Sequence, residues 1–372
     1  MTTSMLPVRP AALKIAVIAL SALWPTFWAT SASAQDTHTI FPLAKPSVST
    51  ITQNGDVNPY GVFFVPKTVM ASAGLAAGDI LVSNFNNSNN LQGTGTSILH
   101  VNAAGQTSTF YIASAARSGL TAALGVLTNG WVIVGNLPTA DGTAATARPG
   151  AISVLDSFGN FLGNIGSTTT VNGPWGMAVF DQGSNGTGTA TVFVSNVLNG
   201  TISRFSLSYT PANLSATAVT LASGFNHRTD PAALVLGPSG LVYNAANDTL
   251  YVASSTDNAV YAIATAKAAG AAVTPTLLFQ DATHLHGPLD LAILPNGHFL
   301  IADSDGSNVD PNQPSELVEY TPTGEFVGQM PIDPNNGGAF GLATANIGWG
   351  TFRLAAVDDN TNTLNIWTTV AQ

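Results

Sequence analysis

From about residue 59 to residue 370 the chain alternates short apolar runs with polar turns, and the alternation itself repeats. Six segments share one grammar: an apolar or aromatic residue, a glycine, an apolar strand, a turn, then a second apolar strand ending in Asn, Ser or Asp. The openings are Pro59-Tyr60-Gly61-Val62, Ala123-Leu124-Gly125-Val126, Pro174-Trp175-Gly176-Met177, Pro238-Ser239-Gly240-Leu241, Pro288-Leu289-Asp290-Leu291 and Ala339-Phe340-Gly341-Leu342. The glycine position falls at 61, 125, 176, 240, 290 and 341, so successive units are 64, 51, 64, 50 and 51 residues apart. That is the size of a four-stranded blade with one or two longer loops.

The second strand of each unit is nearly all apolar: Ile80–Asn84, Val132–Asn136, Val192–Asn196, Leu250–Ser254, Leu300–Asp303 and Leu354–Asp358. Such runs suit strands covered on both faces. A third strand follows, as in Thr201–Ser206, Ala259–Ile263 and Glu316–Tyr320, and Asn129-Gly130, Asn296-Gly297 and Thr323-Gly324 supply tight turns. Radial packing of six such sheets buries their faces on one another. The last unit ends at its third strand, Leu364–Thr368, so its outer strand is expected from the stretch between Thr37 and Gln53. The expectation is an all-β, six-bladed β-propeller closed by an N-terminal strand. Residues 35–58 would carry that strand, and 59–372 the propeller, with blades starting near 59, 123, 174, 238, 288 and 339.

Composition agrees with a β fold. Hydrophobic residues make up 45% of the chain and charged residues only 8%, against about 25% charged in a typical soluble domain. Long amphipathic helices need charged residues on their wet faces and are excluded. The first 34 residues read as a secretory leader: Arg9 and Lys14, an apolar stretch from Ile15 to Ala29, then Ala32-Ser33-Ala34 before Gln35. A periplasmic or secreted, monomeric protein with no membrane association after cleavage is expected. The net charge is −10, with 10 basic and 20 acidic residues. That balance disfavours nucleic acid, whose binding is dominated by basic contacts to phosphate. There is no cysteine, which excludes disulfides, thiolate metal sites and cysteine nucleophiles.

The glycine-apolar pattern resembles the NHL repeat, and the six-unit ring is similar to the NHL and SMP-30/gluconolactonase-like propellers. The resemblance covers residues 59 to 370 and implies that the loops entering each innermost strand share a face with the second-to-third-strand loops. On that face the sequence places His227, Arg228, Asp230, His284 and His286, together with Asn84, Asn136, Asn196, Ser254, Asp303 and Asp358. His227, His284 and His286, with Asp290 nearby, form a candidate catalytic set or a site for a transition metal. Asp303, Asp305 and Asp310 form an acidic loop whose alternating oxygens suit calcium. Tyr60, Trp175 and Phe340, from the positions before the glycine, would line the channel mouth with Arg228 and the three asparagines. These would hold a small ligand, a carbohydrate or a protein. The resemblance also implies a carboxylate and amide metal set near the channel in the lactonase-like members. Here Asp290 is the matching carboxylate, displaced by one position. Two readings follow. One is an exported binding or scaffold module acting through the channel rim. The other is a metal-dependent hydrolase or lyase with its site at the same mouth.

Overall fold

The computed structural model describes residues 47–70, 74–304, 315–348 and 351–370. The stretch expected to be a leader, and Asp305 and Asp310 of the acidic loop, lie outside the described residues. Twenty-four of the strands form six antiparallel four-stranded sheets, each running outward from one innermost strand. The innermost strands are Val57–Phe64, Leu120–Val126, Pro174–Asp181, Pro238–Asn244, Pro288–Ile293 and Ala339–Gly348. The helical elements among the described residues are two single 3-10 turns, Ala115–Arg117 and Ala144–Thr146. The chain is a six-bladed β-propeller.

The outer strand of the sixth blade is Ser47–Ser49, which pairs antiparallel with Thr363–Val370 through Ser47–Asn365, Val48–Leu364 and Ser49–Thr363. Closure therefore joins a segment before the first blade to the last one. The apolar second strands are buried along their length, as in Ile80–Asn86. Apolar clusters fill every seam between neighbouring blades, for example Val82, Leu99, Val357 and Leu364 between the first and sixth. Burial on both faces explains why these strands read as unbroken apolar runs.

Around the channel, polar side chains of the two inner strands tie one blade to the innermost strand of the next. Ser83 Oγ donates to Thr121 O (2.7 Å), and Thr121 Oγ1 to Pro174 O (2.7 Å). Ser195 Oγ donates to Ser239 O (2.6 Å), and Ser239 Oγ to Pro288 O (2.7 Å). Between the fifth and sixth blades, Leu342 N donates to Asp290 Oδ2 (3.1 Å). At the last junction a Cβ on Gly341 would collide with the Tyr60 carbonyl oxygen. At Gly176, Gly240 and Gly341 the repeated glycine is thus the position where two backbones meet with no room for a side chain.

Candidate functional site

The mouth of the channel is built from the residue just before that glycine and the residue just after the terminal Asn, Ser or Asp of each second strand. The second position holds Phe85, Leu137 and Val197 on the first three blades, and Ser255, Ser304 and Asp359 on the last three. The apolar half is covered. Residues 228–236 leave the fourth blade as a two-stranded ribbon, Arg228–Asp230 paired with Leu234–Leu236. Its Leu234 and Val235 pack on Phe85, Leu137, Val197, Tyr60 and Trp175. Asp230 holds the ribbon's turn by accepting from Ala232 N (2.9 Å) and Ala233 N (3.0 Å), and Arg228 Nη1 donates to it at 2.6 Å. Burial alone would raise the Asp230 carboxyl; those two amides and the guanidinium hold it below its ordinary value.

Between the ribbon and the fifth and sixth blades a cavity of about 320 Å³ is left open. Tyr60, Trp175, Leu289 and Phe340 form its apolar wall, while Asn58, Gln92, Ser304, Asp359 and Asn360 contribute polar groups. The rings are in mutual contact. Tyr60 stacks on Phe340 at 4.5 Å between centroids and meets Trp175 edge-on at 5.4 Å. Asp359 is the acidic residue of the lining. Desolvation and then the neighbouring Asp358 carboxyl push it up to about 7, against a hydrogen bond from Asn58. Burial, followed by the Asp359 charge, pushes the Tyr60 phenol well above its ordinary value.

The structure places Tyr60, Trp175 and Phe340 together in the cavity wall, while Asn84, Asn136, Asn196, His227, Arg228, His284, His286, Asp290 and Asp303 are not among its lining. Asn84, Asn136 and Asn196 are buried inside the blades, where they staple the entry loops. Asn84 Nδ2 donates to Thr50 O (3.0 Å), Asn136 Nδ2 to Ser118 O (3.0 Å), and Asn196 Oδ1 accepts from Asn172 N (2.9 Å). Asp303 does the same on the fifth blade, accepting from His286 N (2.8 Å). The histidines have separate partners. His227 Nδ1 lies 3.1 Å from Phe225 O; His284 Nδ1 lies 2.7 Å from Asp281 Oδ2, with its ring stacked on Phe326; His286 Nε2 lies 3.3 Å from Thr283 O. Among the described residues no three His, Asp or Glu side chains are grouped to hold a metal ion.

Asp290 is the next residue along the innermost strand after Leu289 of the mouth. It faces a second channel cavity of about 260 Å³ walled by Val62, Leu124, Met177, Leu241 and Leu342. It accepts from Leu291 N as well as Leu342 N, but the apolar wall dominates and pushes it up to about 7.

Asn58, Gln92, Asp359 and the ribbon are features of the candidate site that sequence reasoning missed. The signal for Asp359 was present: the pair Asp358-Asp359 stands where the first three units read Asn-Phe, Asn-Leu and Asn-Val.

No protein-family model and no curated relative matches the sequence. Solved structures of similar fold do. A gluconolactonase from Xanthomonas campestris superposes with a TM-score of 0.50 at 12% identity, over 88% of this chain and 90% of that one. Regucalcin, a calcium-binding protein from Agrobacterium tumefaciens, gives 0.49 at 10% identity over 90% and 97%. An auxiliary nutrient binding protein from Bacteroides ovatus gives 0.49 at 15% identity over 84% and 69%. At these identities the likeness concerns the fold, which hosts unrelated functions.

Proposed function

We propose that this chain is an exported binding module that holds a small ligand at the mouth of its central channel. One observation carries the reading. The cavity beside the ribbon combines an apolar wall of Tyr60, Trp175, Leu289 and Phe340 with a few convergent polar groups, the ordinary make-up of a small-molecule site. The histidines bonded to their own loops support binding over chemistry at this rim.

The test is a ligand-observed NMR screen of a small-molecule panel against the chain beginning at Gln35, the expected mature terminus. Ligands of the mouth should bind at least tenfold more weakly to Phe340→Ala. They should bind unchanged to Phe158→Ala, whose ring is exposed on another part of the surface. Equal binding to wild type and Phe340→Ala would remove the mouth as the site. Elemental analysis of the same protein, purified without chelator, tests the metal readings. A stoichiometric transition metal lost in His284→Ala and His286→Ala would replace the binding module with a hydrolase or lyase. Calcium lost with Asp303→Asn and Asp305→Asn would place a calcium clamp in the acidic loop and leave the mouth untouched.

A further inference from the structure

Resting on the mouth being a binding site, we infer that the ligand is a small organic cation, an alkylammonium or quaternary ammonium group held against Asp359 with its carbon atoms on Phe340 and Leu289. The charge inventory of the cavity points there. Its lining contains one carboxyl, Asp359, and no Lys, Arg or His among the described residues. Asp359 follows Asp358 directly in the chain, and no basic side chain of the described lining stands opposite it. An ammonium in the cavity supplies the missing opposite charge, where low polarity makes the attraction stronger than in water. The chain as a whole is acidic, a balance that draws cations and repels anions.

The apolar wall separates a cation from a carbohydrate. A sugar ring needs a broad exposed aromatic platform, and Trp175 and Tyr60 are only 2% and 6% exposed because they pack on each other, on Phe85 and under the ribbon. Phe340 is half-buried and is the ring with surface to offer. A compact ammonium group needs no more than one such face beside a carboxylate. A neutral polyol offers no counter-charge to the Asp359 carboxylate.

Isothermal titration with four probes tests this: choline, butylammonium, 3,3-dimethylbutan-1-ol (the neutral carbon isostere of choline) and methyl glucoside. The two cations should bind, and the isostere should bind at least tenfold more weakly than choline. Asp359→Asn should bring choline down to the level of the isostere, with a thermal melt confirming that the variant folds. Ala232→Lys, on the exposed turn of the ribbon, sets a tethered ammonium at the cavity wall and should weaken added choline in a chain whose Asp359 is intact. Equal binding of choline and its isostere, or choline binding unchanged in both variants, overturns the cation assignment. In that case loss of binding in Phe340→Ala still shows the mouth to be a site. If Phe340→Ala also leaves every probe unaffected, the mouth itself is not the site and both readings fall.

Discussion

Asp290 occupies the position where the other five units carry glycine, and its carboxyl accepts the Leu342 amide across the junction of the fifth and sixth blades. It does for that junction what serine and threonine hydroxyls do for four others, but it brings a charge into an apolar channel. The sign of its effect on stability follows. A carboxyl with an ordinary value of 3.8 is pushed up to about 7 by burial, so between those values the folded chain binds the proton that the unfolded chain has released. Stability therefore falls as pH rises through that window and levels off above it. Asp359 acts in the same direction. Asp290→Asn keeps an oxygen for the amide and removes the charge. Its melting temperature relative to wild type should rise between pH 5 and pH 8; a constant difference would mean that the carboxyl is well solvated. Asp290 could be singled out from the sequence because it breaks a repeat. Its partner could not, since Leu342 lies 52 residues away and only the ring brings the two together.

At the scale of an element, the ribbon from Arg228 to Leu236 makes this mouth different from an open channel. The local signals were visible, with Asp230-Pro231 for a turn and Leu234-Val235-Leu236 for a strand. Three-residue strands are too short to show a period, however, and the segment reads as an entry loop. Packing decides its place: Leu234 and Val235 cover an apolar patch that only exists once Phe85, Leu137 and Val197 of three blades have converged. Leu234 is held at a φ of 62°, unfavourable for a bulky side chain and sustained by its burial. Asp230→Ala removes the acceptor of two backbone amides and the Arg228 pair, a loss of about 1–3 kcal/mol. Hydrogen exchange across 228–236 should then speed up while Val192–Asn196 stays protected. Uniform loss of protection would show the ribbon to be part of the global fold rather than a locally opening element. The asparagines tell the opposite story. Their regular place at the strand ends was legible, but a polar residue that closes its own loop and one that faces a ligand look the same in a sequence.

For the molecule as a whole, the three residues Ser47–Ser49 close the ring onto its last blade. Val48 pairs with Leu364 and packs on the seam between the first and sixth blades. Val48→Asp puts an unpaired charge into that seam and should destabilise the chain by a few kcal/mol. Exchange should be fastest at residues 363–369, as measured by thermal melts and mass spectrometry of exchanged peptides. Unchanged melting would mean that the six seams hold the ring without the closing strand. Blade number, strand order and the need for such a closure were determined by the sequence. They follow from periodicity, and each blade repeats a pattern whose reach is short: alternation within a strand, a turn, a glycine at the point of closest approach. The cavity at the mouth, the ribbon beside it and the placing of Asp359 against the apolar wall were decided by tertiary structure alone. Each of them joins residues from several blades, and nothing along the chain records which side chains meet when six separate sheets close around one axis.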